Sequence, residues 1–284
     1  MEPIVYALMS AALFGAALVT THSGLKYLDA TAGARVSIPA ATLLFWLLAP
    51  FADLADWQLA AIGIFALVGL FFPAAVTLLT FEGNRRLGPS VTGAVGSTAP
   101  LFAILGAALF LDEALGVREL AATSLIVLGS VVLARLHDAD ARGEQRSALW
   151  LPWSAAALRA LAQVLSKAGL ILWPNPFAAA LVGYTVSSLA VWTATAGQPA
   201  ARTFHRRGAA WFAATGALNG VAVLCLYRAL STGTVVVVSP IVATYPLFTL
   251  ILSALVLREE RMSAALIGGV MLVVAGVVVL LLQW

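Results

Sequence analysis

Charge is what this sequence has least of. Only 10% of its 284 residues are Asp, Glu, Lys or Arg, against 62% hydrophobic, whereas soluble domains carry about a quarter charged residues. A soluble chain of this length could not cover so much apolar surface with polar groups; a bilayer as solvent resolves the problem. Cysteine is nearly absent too. Cys225 stands alone in an apolar run, which excludes a disulfide framework or a multi-cysteine metal site. No GxxxxGK[ST] loop occurs, so nothing points to ATP as an energy source. No metal-ligand cluster or nucleophile–base pair stands out, and neither an enzyme nor a cofactor is expected. A pI near 9.4 does not indicate nucleic acid, because the basic residues are scattered through short loops between apolar runs. The opening MEPIVYALMS has an acid and no basic n-region, so it reads as a first spanning helix rather than a signal peptide.

What is abundant is apolar length. At about 20 residues per crossing, the chain divides into ten candidate spans near 3–22, 31–50, 57–81, 88–110, 116–136, 149–173, 177–197, 208–230, 234–257 and 264–284. Turn and charge clusters such as SGLKYLDA, EGNRRLGPS, WPNP and STGT separate them. Odd-numbered loops hold Lys26, Arg85, Arg86, Arg142, Arg146, Arg202, Arg206, Arg207, Arg258 and Arg261, while even-numbered loops hold only Arg118. The positive-inside rule puts the first group in the cytoplasm and both termini on the opposite side.

The chain also repeats itself. TAPLFAILGAALFLDEALG (98–116) aligns without a gap on TYPLFTLILSALVLREERM (244–262), matching Thr98, Pro100, Leu101, Phe102 and Glu113 to Thr244, Pro246, Leu247, Phe248 and Glu259. The match lays the fourth span on the ninth, which makes the repeat unit five helices. An odd number of spans inserts the second copy upside down, the plan of many secondary transporters. The expected architecture is an all-α membrane protein: ten transmembrane helices as two inverted five-helix repeats, 1–137 and 149–284, joined by a cytoplasmic loop at 138–148, around a central cavity.

This layout and the two P-L-F…L-x-E segments resemble the EamA family of the drug/metabolite transporter superfamily, and within it bacterial amino-acid exporters of the YddG type. The resemblance implies a multi-pass protein of the bacterial inner membrane. It further implies export of small metabolites by alternating access, with amino acids as the leading substrates. Exchange of phosphorylated metabolites or organic anions is the alternative. A non-transporting scaffold or receptor would be expected to show long extramembrane segments, which are missing here. The oligomeric state stays open, a monomer being compatible with everything above.

LRALAQVLSKAGL, residues 158–170, carries Arg159, Gln163 and Lys167 on one helical face. Arg159 lies about 15 Å into the sixth span at 1.5 Å per residue, near the bilayer centre, where an arginine costs roughly 3 kcal/mol or more. No Asp or Glu falls in the middle of any span. A water-filled cavity and an anionic substrate group then explain the charge better than a structural ion pair does, and this face is expected to bind a carboxylate. Lys167 is near enough to the outer end to snorkel. Tyr184, Tyr245, Phe72 and Phe102 sit deep, and with Asn219 they are candidates for lining the same pocket. His22 is a candidate proton carrier, against the plainer reading of an interfacial anchor. Arg35 and Arg228 read as snorkelling anchors, and Glu113 and Glu259 as residues that bond nearby backbone N–H groups at hairpin ends. Pro39, Pro73, Pro100, Pro240 and Pro246 fall inside spans, where each removes a backbone hydrogen bond and is expected to kink its helix. Most of the tryptophans, Trp173 among them, lie near span ends and read as an interfacial belt.

Overall fold

A computed structural model of the chain describes residues 1–135, 148–197, 205–257 and 264–282. Those residues form twelve α-helices: α1 (Glu2–Leu25), α2 (Ala30–Leu48), α3 (Leu59–Phe71), α4 (Ala74–Gly96), α5 (Ala99–Phe110), α6 (Val117–Arg135), α7 (Trp150–Leu172), α8 (Pro176–Ala194), α9 (Arg206–Thr232), α10 (Val235–Val242), α11 (Tyr245–Leu257) and α12 (Ala264–Leu281). There is no strand among the described residues. Seven helical stretches are long and apolar enough to cross a bilayer, and two shorter apolar stretches, Ala99–Phe110 and Gly268–Val279, accompany them. Loop segments 138–147 and 198–204, together with Arg258, Glu259, Arg261 and Trp284, lie outside the described residues.

Helix starts follow local capping chemistry. Asp29 accepts the Ala32 N–H at 2.7 Å to open α2, and Asn175 accepts the Ala178 N–H at 3.0 Å to open α8 just before Pro176. Several expected boundaries shift. α9 runs on to Thr232, through the first residues of the expected STGT turn. The backbone of EGNRRLGPS, expected as a loop, is helical within α4. The direction change expected there is nonetheless present. A Cβ built on Gly83 would lie 3.3 Å from Thr92 Oγ1, whereas nine residues of straight helix would hold the two about 13 Å apart. α4 therefore doubles back, and Leu87 at the bend packs on Ala148 and Leu151 at the start of α7.

The prolines divide into interior and junction positions. Pro39 sits inside α2 without interrupting it, and Pro240 sits inside the short α10. Pro73 separates α3 from α4. Having no N–H, it cannot donate to the Gly69 carbonyl four residues back. Ser187 of α8 replaces it: its hydroxyl donates to the Gly69 carbonyl and accepts the Ala74 N–H at 3.2 Å. The expected spans 88–110 and 234–257 are each interrupted, so Pro100 and Pro246 lie in the first turns of α5 and α11 rather than in a helix interior.

Those two interruptions match bond for bond. At the first, the Thr98 hydroxyl and N–H both donate to the Val95 carbonyl (2.6 and 3.1 Å), and the Thr98 carbonyl accepts the Leu101 N–H at 3.0 Å. At the second, the Thr244 hydroxyl and N–H donate to the Ile241 carbonyl (2.7 and 3.1 Å), and the Thr244 carbonyl accepts the Leu247 N–H at 2.9 Å. Helix pairing has a matching pattern. α1 packs on α9 and α11, as α7 packs on α3, α4 and α5; α2 meets α8, and α6 meets α12. Close approach rests on glycine: a Cβ on Gly216 of α9 would lie 2.0 Å from the Ser37 carbonyl oxygen of α2.

Charged side chains fasten helix ends. Arg228 pairs with Glu2 at 2.7 Å, joining the end of α9 to the start of α1. Arg35 donates to the Thr195 hydroxyl at 2.7 Å and to its carbonyl, at the C-terminus of α8. Both have specific protein partners where lipid-facing snorkelling was expected. Trp173 departs from the expected belt: it is buried and packs on Trp57 at 5.4 Å. Trp46, Trp150, Trp153, Trp192 and Trp211 are exposed on the helical surface, and Trp57 is exposed in the segment before α3.

Candidate functional site

α1, α4, α7, α8, α9 and the start of α11 surround a pocket that opens at one mouth. One wall is the α3–α4 break, Phe72 and Pro73, continued along α4 by Val76, Thr77, Thr80 and Phe81. Phe14, Leu18 and Thr21 of α1 form a second wall, and Pro152, Ala155, Ala156 and Arg159 of α7 a third. Tyr184, Asn219, Val223 and Tyr245 complete it, with Thr92 and Gly96 from the returning arm of α4.

Arg159 is the one formal charge among the described lining residues. Its guanidinium lies over the Phe14 and Tyr245 rings, 5.7 and 5.5 Å from their centroids, an arrangement that holds a cation by the negative ring faces. No described carboxylate pairs with it, and its Nε is buried without a hydrogen-bond partner. Tyr245 is held in turn: its hydroxyl donates to the Gly93 carbonyl at 2.8 Å, joining the start of α11 to the returning arm of α4. Gly96 permits this, since a Cβ there would lie 2.1 Å from that hydroxyl. Tyr184 is buried with its hydroxyl unpartnered. The pocket thus offers a cation, unspent hydroxyl and amide groups, and aromatic walls, a combination suited to holding an anion with an apolar body.

Arg159, Tyr184, Asn219, Tyr245, Phe72 and Pro73, all anticipated from the sequence, come together here. Four other candidates do not line the pocket. Lys167 donates to the Leu230 and Gly233 carbonyls at 2.8 Å each, closing the C-terminus of α9. Snorkelling and substrate contact were expected of it; here the carbonyls at a helix end take its ammonium. Glu113 serves the same turn from the other side, accepting the Val235 and Val236 N–H groups at 3.0 Å each to open α10. A backbone-bonding role was anticipated for it at the end of its own hairpin; its partners instead lie 122 and 123 positions along the chain. Gln163 is 3% exposed and its Oε1 has no partner, yet it is packed between helices. Phe102 is 43% exposed, edge-on to Trp153 at 6.3 Å. His22 follows the lining residue Thr21 on α1 without lining the pocket itself.

The threonine hydroxyls were not singled out from the sequence. Thr77 and Thr80 stand three apart on one face of α4, a spacing that could have signalled a polar stripe in an apolar span. Phe14 beneath the guanidinium had no such signal, because any phenylalanine in a span suits lipid equally well.

These features define a multi-pass helical membrane protein with a charged pocket between its helices. The sequence profile of the EamA-like transporter family matches residues 1–135 and 147–282, and the chain belongs to that family of membrane transporters, within the drug/metabolite transporter superfamily. A protein of known crystal structure superposes with a TM-score of 0.80 at 16% identity, over 100% of this chain and 97% of its own. At that identity the likeness establishes the fold. No curated protein sequence matches the chain.

Proposed function

We propose that the chain is a secondary transporter that exports small carboxylate-bearing metabolites across the bacterial inner membrane by alternating access, with Arg159 holding the carboxylate. The observation that carries this is an arginine in a pocket, over two aromatic faces, with no carboxylate partner among the described residues. An intramembrane ion without a counter-ion marks a substrate path by default. Amino acids are the substrates the sequence resemblance implies, with Asn219 and the Tyr184 hydroxyl available to their polar ends.

The bonds repeated around Thr98 and Thr244, and the matched helix pairings, support two inverted five-helix repeats. Rocking of one repeat against the other would expose a site between them to each side in turn. The pocket follows the later residues of α1 and the early residues of α7. With the termini outside, that half faces the cytoplasm, as a substrate-loading state of an exporter requires. His22 beside the pocket wall is the candidate for proton coupling.

The test is transport by purified protein in liposomes offered labelled carboxylates, amino acids among them, with and without a pH gradient. The proposal expects movement above that of empty liposomes for at least one carboxylate, and its loss in Arg159→Gln. Equal transport by Arg159→Gln and wild type would remove Arg159 from the site.

A further inference from the structure

The charge count of the pocket narrows the substrate. Resting on the reading of Arg159 as the carboxylate anchor, we propose that the preferred substrate is a monoanionic carboxylate with an aromatic-sized apolar body and no ammonium group. Aromatic 2-oxo and 2-hydroxy acids are the chemical class.

Among the described lining residues the formal charge is that of Arg159 alone. The next cation along α7, Lys167, has its ammonium on the Leu230 and Gly233 carbonyls, and Glu113 has both carboxylate oxygens on the Val235 and Val236 N–H groups. Neither can be lent to a ligand without opening the α9–α10 turn. A monoanion therefore neutralises the described lining. A zwitterionic amino acid leaves it with one uncompensated positive charge, a phosphate dianion with one negative, and an organic cation with two positives. Carried through a state closed to water, uncompensated charge is expensive, and neutral hydroxyls or an amide only partly relieve it. Asn219 and Tyr184 can accept an ammonium hydrogen but bring no opposing charge.

The walls specify the rest of the molecule. Phe72 and Phe81 line the same pocket as Arg159, so aromatic faces are available to an apolar ring on a molecule whose anion the arginine holds. Threonine hydroxyls at 77 and 80 stand along that wall, where a 2-oxo or 2-hydroxy oxygen could be received.

Purified protein in liposomes is given four labelled compounds on one phenyl scaffold: phenylpyruvate, phenylalanine, phenethylamine and phenyl phosphate. Each is followed by exchange against itself. Phenylpyruvate should exchange at least about tenfold faster than the other three, the equivalent of one uncompensated interaction of about 1.4 kcal/mol. Arg159→Gln should abolish that exchange. Asn219→Asp, which supplies the missing negative charge, should narrow the gap between phenylpyruvate and phenylalanine. Phenylalanine matching or exceeding phenylpyruvate in the wild type, with Arg159→Gln inactive, overturns this inference while leaving the carboxylate exporter standing. Wild-type exchange in Arg159→Gln overturns the anchor itself. No exchange of any of the four, while another carboxylate moves, overturns the aromatic-sized body.

Discussion

Two cations lie on α7, Arg159 and Lys167. They share one face of α7, eight residues and about 12 Å apart. One stands in the pocket over two rings, and the other closes the end of α9. Their variants should fail differently. Arg159→Gln should insert and fold as the wild type does but lose at least about tenfold in transport, as expected for losing a charge-assisted bond to the substrate. Lys167→Met should leave the KM of any transported substrate unchanged and lower thermal stability. Two carbonyls at the α9 end then lose their donor, at a cost of about 1–3 kcal/mol. Transport by both variants, measured with Tm in detergent, separates the two roles; a raised KM with unchanged Tm in Lys167→Met would put the lysine back in the site. The arginine was legible because mid-span carboxylates are missing from the sequence. The lysine was not, because every residue has a carbonyl and nothing in the sequence marks which ones a helix end leaves free.

At the scale of elements, the sequence located most helix boundaries to within a few residues, because apolar length and turn clusters record them. The breaks inside the expected spans were less visible. The prolines indicated where hydrogen bonds would be lost, but Ser187, the residue that restores one of them, is more than a hundred positions away at the α3–α4 junction. Ser187→Ala should leave the Gly69 carbonyl and the Ala74 N–H unpaired in a buried setting and lower stability by about 1–3 kcal/mol, read as a fall in Tm; an unchanged Tm would mean that the break has another support. The Thr98 and Thr244 junctions were closer to legible, since the repeat alignment already laid one on the other. What the alignment lacked was that each threonine marks a helix interruption. Gly96→Ala tests how the junctions meet: its Cβ would collide with the Tyr245 hydroxyl. Tyr245 should then be displaced from Gly93 and from beneath Arg159, with substrate affinity falling as the cation loses its platform. Unaltered affinity would show the platform to be dispensable.

For the molecule as a whole, composition alone pointed to the solvent, and the scatter of basic residues is the basis of the expected orientation. Arg85 and Arg86 both bond Glu82 at the α4 bend. That does not remove their weight as topology markers, because the rule counts Lys and Arg rather than net charge. A reporter fused to the carboxyl end should therefore signal from the non-cytoplasmic side, and a cytoplasmic signal would reverse the direction assigned to the pocket mouth. Legible only in part was how the fold selects among deep residues. Tyr184, Tyr245, Phe72 and Phe102 were equally apolar candidates, and helix packing sends the first three to the pocket and Phe102 to the surface. The proposed role of the pocket is recognition of a carboxylate through Arg159. Its most direct test is a paired binding measurement in detergent, comparing a transported carboxylate with its neutral carboxamide on wild type and on Arg159→Gln. The wild type should favour the carboxylate by at least about tenfold and the variant should distinguish little between the two; the same preference persisting in Arg159→Gln would mean that the arginine does not read the carboxylate.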